Sequence, residues 1–179
     1  MGLGWQEEEY EASGIPFDQR TKIFWETLDI CQSLWTGGPV SHKGEIFEFN
    51  DIWCHPTPPQ GSDIPLLFGV KMTESNAQDI AKIGHGWIPI KTSRDFISEG
   101  SEKLNNAFKE AGRDDKPRIR GQLPTCVDSN GVPSIDLTLK ELEKSMQAGL
   151  EEIEVFPINF AQSPDHLREV LELIGEIKK

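Results

Sequence analysis

The stretch IPLLFGVKMTESNAQDIAKIGHGWIPI, residues 64–90, concentrates the side chains and backbone groups that could do chemistry. An apolar run ends in Gly69, a short loop carries Lys71, and Thr73 stands where its hydroxyl can cap a helix. The first N–H groups of such a helix lack intrahelical acceptors and lie at the positive end of its dipole. Together with the Lys71 ammonium they describe a cradle for a phosphate at the carboxyl end of a strand, where parallel α/β folds bind their ligands. The same residues also describe a tight turn with an ordinary N-cap. The spacing is neither the G-x-G-x-x-G of a dinucleotide fold nor the Gly-Lys-Ser/Thr of a P-loop.

Other chemistries have less support. Cys31, Cys54 and Cys126 are widely spaced and odd in number, which fits neither a disulfide framework nor a metal knuckle, and they read as packing thiols. His42, His55, His85 and His166 form no i, i+4 pair with acidic neighbours at ligand spacing, so no metal site is expected. No residue stands out as a catalytic acid or base. The net charge of -12 opposes binding to nucleic acid or to anionic membranes. The N-terminal GLGWQEEEYE has glutamates where a signal peptide needs an apolar segment, and no run is long enough to span a bilayer, so a cytoplasmic location is expected.

The elements that must hold the loop follow from periodicity. With 179 residues, 36% of them hydrophobic, the chain has the composition of one globular domain. Apolar positions 24, 28, 31 and 35 predict a helix over 18–35, with Asp18 as N-cap and Gly37-Gly38-Pro39 as its stop. A hairpin around His42-Lys43-Gly44 is expected within an insertion at about 39–60. Four strand–helix units follow: PLLFGV with a helix over 73–84, GWIPI with 94–111, RIRGQLPTCV with 135–148, and EIEVFPI with 164–178. Ser93 and Ser163 are placed as N-caps, and Ile97, Leu104, Phe108 and Ala111, like Leu167, Val170, Leu171, Ile174 and Ile177, should face inward. Such repetition predicts a parallel sheet with right-handed crossovers.

Read as ordered motifs, the chain resembles the luciferase-like monooxygenases, flavin- or deazaflavin-dependent enzymes on a (βα)8 TIM barrel. Pro65, Gly69, Thr73, Ala81 and Gly86-Trp87 match the family's proline-led strand, Gly-Gly turn, capped helix and Ala-x-x-x-Asp-Gly-Trp. GLGWQEEEYEASGIPFDQR is similar to its Gly-x-Gly-Trp, Gly-x-Pro-Phe and Arg segment, LWTGGPVSHKGEIFEF to its hairpin, and HPTPPQ to its His-Pro-x-Pro-x-Gln. Val70 replaces the second glycine of the pair, bringing a side chain toward the phosphate approach, and His85 replaces the aspartate before Gly-Trp.

The resemblance implies a partial (βα)8 barrel. Because Gly-x-Gly-Trp closes the fourth strand in that family, it implies parallel strands five to eight with flanking helices and a β-hairpin insertion, as a single domain over 1–179. A whole barrel takes about 250 residues. It also implies that Gly69, Val70, Lys71, Met72 and Thr73, with Gly86 and Trp87, bind the phosphate side of FMN or coenzyme F420. Trp5 and Glu9 would line the mouth of a small-molecule substrate pocket. Packing remains the alternative for Trp87, and a solvated helix face for Glu9. The implied function is an oxidoreductase or monooxygenase, truncated or split, completed by a second copy or by a complementary N-terminal half. The alternative is a barrel remnant without catalysis that serves as an interaction module.

Overall fold

The computed structural model describes residues 1–176 and divides into two compact units, Met1–Leu66 and a second from Leu67 onward. In the first, Gly4 takes a positive φ of 71° and lies against the Tyr10 ring. Helix α1 (Glu7–Ala12) follows, and its opening run of Glu7, Glu8 and Glu9 complements the positive end of the helix dipole. Helix α2 (Arg20–Leu34) buries Leu28 and Ile30. Asp18, expected as its N-cap, instead lies in a 3-10 turn over Phe17–Gln19, and Gln19 holds the cap position with no side-chain bond. The turn's Gln19 N–H to Pro16 carbonyl bond and the Arg20 guanidinium over the Phe17 ring, 3.7 Å from its centroid, set the chain's entry instead.

The expected hairpin is present as β1 (Val40–Lys43) paired antiparallel with β2 (Glu48–Ile52). Helix α2 reaches it through Lys22, whose ammonium donates to the Glu45 carboxylate at 2.7 Å, and through Glu26. The Glu26 carboxylate accepts the Phe47 N–H at 2.8 Å, the Ile46 N–H at 3.1 Å and a hydrogen bond from His42 Nε2 at 3.0 Å. Burial raises the pKa of Glu26, but these bonds outweigh it and hold the carboxyl below the usual glutamate range. Burial pushes the Cys31 thiol up, and the neighbouring Cys54 adds to the shift, which disfavours a thiolate there.

The second unit alternates strand and helix: β3 (Leu67–Phe68), α3 (Glu74–Ile83), β4 (Gly86–Trp87), α4 (Arg94–Glu110), β5 (Arg118–Gln122), α5 (Ile135–Lys140), α6 (Leu142–Gln147), β6 (Glu152–Glu154) and α7 (Pro164–Gly175). The sheet order is β3-β4-β5-β6 with every neighbour parallel. Consecutive parallel strands joined through helices are the repeating unit of a (βα)8 barrel, here four of its eight. Phe68, Trp87 and Ile119 share one register row and are 0%, 0% and 2% exposed. This row forms the floor on which the helices pack, with Ile80, Ile97, Leu104 and Phe108 buried over it. Arg118 and Arg120 point to the opposite face of β5 and meet Glu152 of β6.

Several boundaries differ from expectation. The helix expected over 135–148 is two short ones, because the Glu141 N–H turns back to the Thr138 carbonyl and ends α5. Ser93 occupies the N-cap of α4 without a side-chain bond, whereas Ser163 caps α7 by accepting from the His166 N–H at 3.1 Å. Ala111 is the exposed C-cap of α4, and Leu171 of α7 is 51% exposed rather than inward. Ile177 lies outside the described residues. Among the described residues no helix is long and apolar enough to cross a membrane.

Candidate functional site

The loop Gly69–Thr73 leaves β3 at the carboxyl edge of the sheet and runs directly into α3. Thr73 caps that helix as its sequence position predicts, its Oγ1 accepting the Asn76 N–H at 3.1 Å. The carbonyls that precede the cap are also engaged. The Val70 carbonyl accepts the Trp87 Nε1–H at 2.8 Å, and the Lys71 carbonyl accepts both the Asn76 Nδ2–H at 2.8 Å and the Thr73 N–H at 3.0 Å.

This anchoring decides where the amides point. In a trans peptide unit the C=O and the following N–H lie in one plane and point in opposite directions. Holding the Val70 and Lys71 carbonyls against the protein therefore turns the Lys71 and Met72 N–H groups the other way. Among the described residues neither amide donates to a protein acceptor, nor do those of Glu74 and Ser75 in the first turn of α3. The Lys71 side chain is exposed and makes no ion pair among the described residues. The result is a row of free N–H donors, a helix N-terminus and one free ammonium, which is the donor set that fits a phosphate.

The remaining candidates occupy different surroundings. Val70 and Met72 are 4% and 6% exposed, so the Val70 side chain is buried rather than spread over the loop's outer surface. Gly86 sits in mid-sheet, where a Cβ would fall 2.0 Å from the Arg118 carbonyl oxygen. Trp87 is fully enclosed: its ring lies on Gly100 of α4 and 5.7 Å, centroid to centroid, from Phe96. It reaches the loop through its indole N–H. The structure thus brings Gly69–Thr73 and Trp87 together around one peptide. Trp5 and Glu9 belong to the first unit, Trp5 at 82% exposure and Glu9 on the exposed acidic start of α1.

Asn76 and Gly100 escaped the sequence reading. An asparagine three residues after a Thr cap is a recognisable signal, since its amide can reach back to the loop carbonyls. Gly100 carried none, because a glycine inside a helical stripe shows its purpose only when the indole above it is seen. Arg113 was also missed: it bonds the Gly84 carbonyl at 2.6 Å and the Ala81 carbonyl at 3.2 Å, so α3 is tied at its C-terminus as Thr73 ties it at the other end.

The family model for luciferase-like monooxygenases matches residues 1–131. An uncharacterised protein of Mycobacterium tuberculosis is 36% identical over 120 residues, which cover 66% of this chain and 42% of that protein. The pyrimidine monooxygenase RutA of Allorhizobium ampelinum is 28% identical over 131 residues, 64% of this chain and 33% of the enzyme. This chain therefore spans less than half the length of these curated relatives. Among solved structures, the coenzyme F420-dependent tetrahydromethanopterin reductase of Methanopyrus kandleri superposes with a TM-score of 0.72 at 17% identity, over 98% of this chain and 71% of that one. The monooxygenase RslO1 of Streptomyces bottropensis gives 0.63 at 18% identity, over 97% and 56%.

Proposed function

The chain belongs to the luciferase-like monooxygenase family, and from that premise we propose that its Gly69–Thr73 loop holds the phosphate of FMN or of coenzyme F420 in an oxidoreductase. The observation that carries the reading is the pair of anchored carbonyls at Val70 and Lys71, which leaves the amides of Lys71 and Met72 without protein acceptors. A pyrimidine monooxygenase among the relatives and F420-dependent enzymes among the similar solved structures support an oxidoreductase reading.

When bound, such a cofactor supplies hydride transfer or oxygen activation. The chain's own part is to bind and orient. The Lys71, Met72, Glu74 and Ser75 amides donate to phosphate oxygens without needing to break a protein bond, and the exposed Lys71 side chain adds an ammonium beside them. Trp5 and Glu9 are proposed for the mouth of the pocket that admits a small-molecule substrate. Strand β6 has one neighbour, β5, among the described residues. We propose that further strands, from a second copy or a complementary N-terminal half, complete the barrel in the cytoplasm, a state that light scattering of the purified chain reads directly.

Riboflavin tests the phosphate reading, because it carries the same ring as FMN without the anion. Flavin-fluorescence titration should give FMN binding at least about tenfold tighter than riboflavin, with inorganic phosphate competing, as expected for several charge-assisted hydrogen bonds. Equal affinity for the two flavins would remove the anion loop. Failure to bind either FMN or F420 would favour the non-catalytic interaction module.

A further inference from the structure

We infer that Trp87 is a positioning residue for the anion loop: its indole N–H sets the direction of the Lys71 amide without touching the ligand. The indole is 0% exposed, so no cofactor can reach it. Its one hydrogen bond goes to the Val70 carbonyl at 2.8 Å, and Val70 C=O and Lys71 N–H belong to the same rigid peptide unit. Whatever holds that carbonyl inward holds that amide outward.

The ring has little freedom to do anything else. A Cβ on Gly100 would lie 2.2 Å from Trp87 Cη2, so α4 approaches the indole as closely as the absence of a side chain allows, and Phe96 packs beside it. The packing of α4 on the sheet is thereby transmitted, through one side chain, to the orientation of one peptide in the loop after β3. Phenylalanine or leucine would fill the same space but leave the Val70 carbonyl buried and unpaired, free to gain by turning toward water. That flip would point the Lys71 amide inward. Lys71 O is held separately by Asn76 and Thr73, so the Met72 amide should keep its direction.

The inference rests on the anion-loop reading, and the test separates the two. Trp87 is replaced by 3-benzothienylalanine, an isostere in which sulfur stands for the N–H, with Trp87→Phe as a second variant. FMN, riboflavin and inorganic phosphate are titrated against the full chain by fluorescence and by amide resonances of Lys71 and Met72. The wild-type chain should prefer FMN to riboflavin, and phosphate should shift both amides. In the isostere, FMN affinity should fall by about tenfold, the scale of one charge-assisted hydrogen bond, while riboflavin affinity and thermal midpoint change little. The Lys71 amide should shift in the ligand-free protein and stop responding to phosphate, whereas Met72 still responds. An isostere with an unshifted Lys71 amide and unchanged FMN preference would reduce Trp87 to packing and overturn the inference. A wild-type chain indifferent to the phosphate would overturn the anion loop instead, and the ligand-free Lys71 shift would still decide whether Trp87 orients that peptide.

Discussion

The carboxylate of Glu26 occupies the space in which a side chain on Gly44 would begin, since a Cβ there would lie 2.1 Å from Oε1. A long side chain can usually swing aside from such a clash. This one is held by two backbone amides and His42, so it cannot move without releasing the hairpin. Gly44→Ala should therefore cost about 1–3 kcal/mol, the range of overpacked sites. Thermal denaturation reads the loss, and a change below a few tenths would mean that the hairpin tip is free to yield.

The same carboxylate makes the hairpin sensitive to acid. The pKa of Glu26 is lowered in the folded chain, so its contribution to stability is complete above the ordinary glutamate range and is lost as pH falls through the depressed value. The protection of the Ile46 and Phe47 amides against hydrogen exchange, taken relative to the unstructured-chain rate at each pH, should fall selectively over that acid window. Glu26→Gln should exchange faster at neutral pH and lose the window, because an amide presents a competing donor to the same N–H groups.

Much of this was legible in the sequence, and the parts that were not share a cause. The four strand–helix units, the Thr73 cap, the Ser163-Pro164 start of α7 and the hairpin all follow from local signals of period, cap chemistry and turn residues. Gly37 and Gly112 do adopt positive φ beyond the ends of α2 and α4. The failures at Asp18 and at the break in α5–α6 arise where an i to i+3 bond overrides a local preference, whereas Leu171 is 51% exposed although the apolar stripe places it inward. Within the candidate site the loop was visible as a loop. The orientation of its peptides was not, because that is set by Trp87 and Asn76, 17 and 5 residues away from their acceptors.

Lys71 and Thr73 should separate binding from folding. Lys71 is exposed, so Lys71→Ala should leave the thermal midpoint unchanged and weaken FMN several-fold, the more so at low salt where its charge is least screened. Thr73→Ala removes a cap bonded to the Asn76 N–H and should cost about 1 kcal/mol of stability. Chemical denaturation beside flavin titration checks both, and loss of stability in Lys71→Ala would show a structural role for the ammonium.

The charged face of β5 gives a prediction whose sign depends on pH. Arg118 and Arg120 lie two residues apart on one face of the strand, and each is bonded to Glu152 on β6. The Arg118 bond is the largest influence on Glu152; burial opposes it, Arg120 reinforces it, and together they hold the carboxyl below its usual range. Its stabilising contribution is thus full at neutral pH and disappears as pH falls through the lowered value. Glu152→Gln keeps the shape but leaves two guanidinium groups facing each other without a counter-charge. With the carboxylate side chain 28% exposed, water screens part of the effect, and the loss should be about 1–3 kcal/mol at pH 7. In acid the wild-type glutamate is itself protonated and the two proteins should converge. Urea midpoints measured at neutral and acid pH test this, because a gap that persisted unchanged into acid would assign the cost to packing at β5–β6 rather than to the charge.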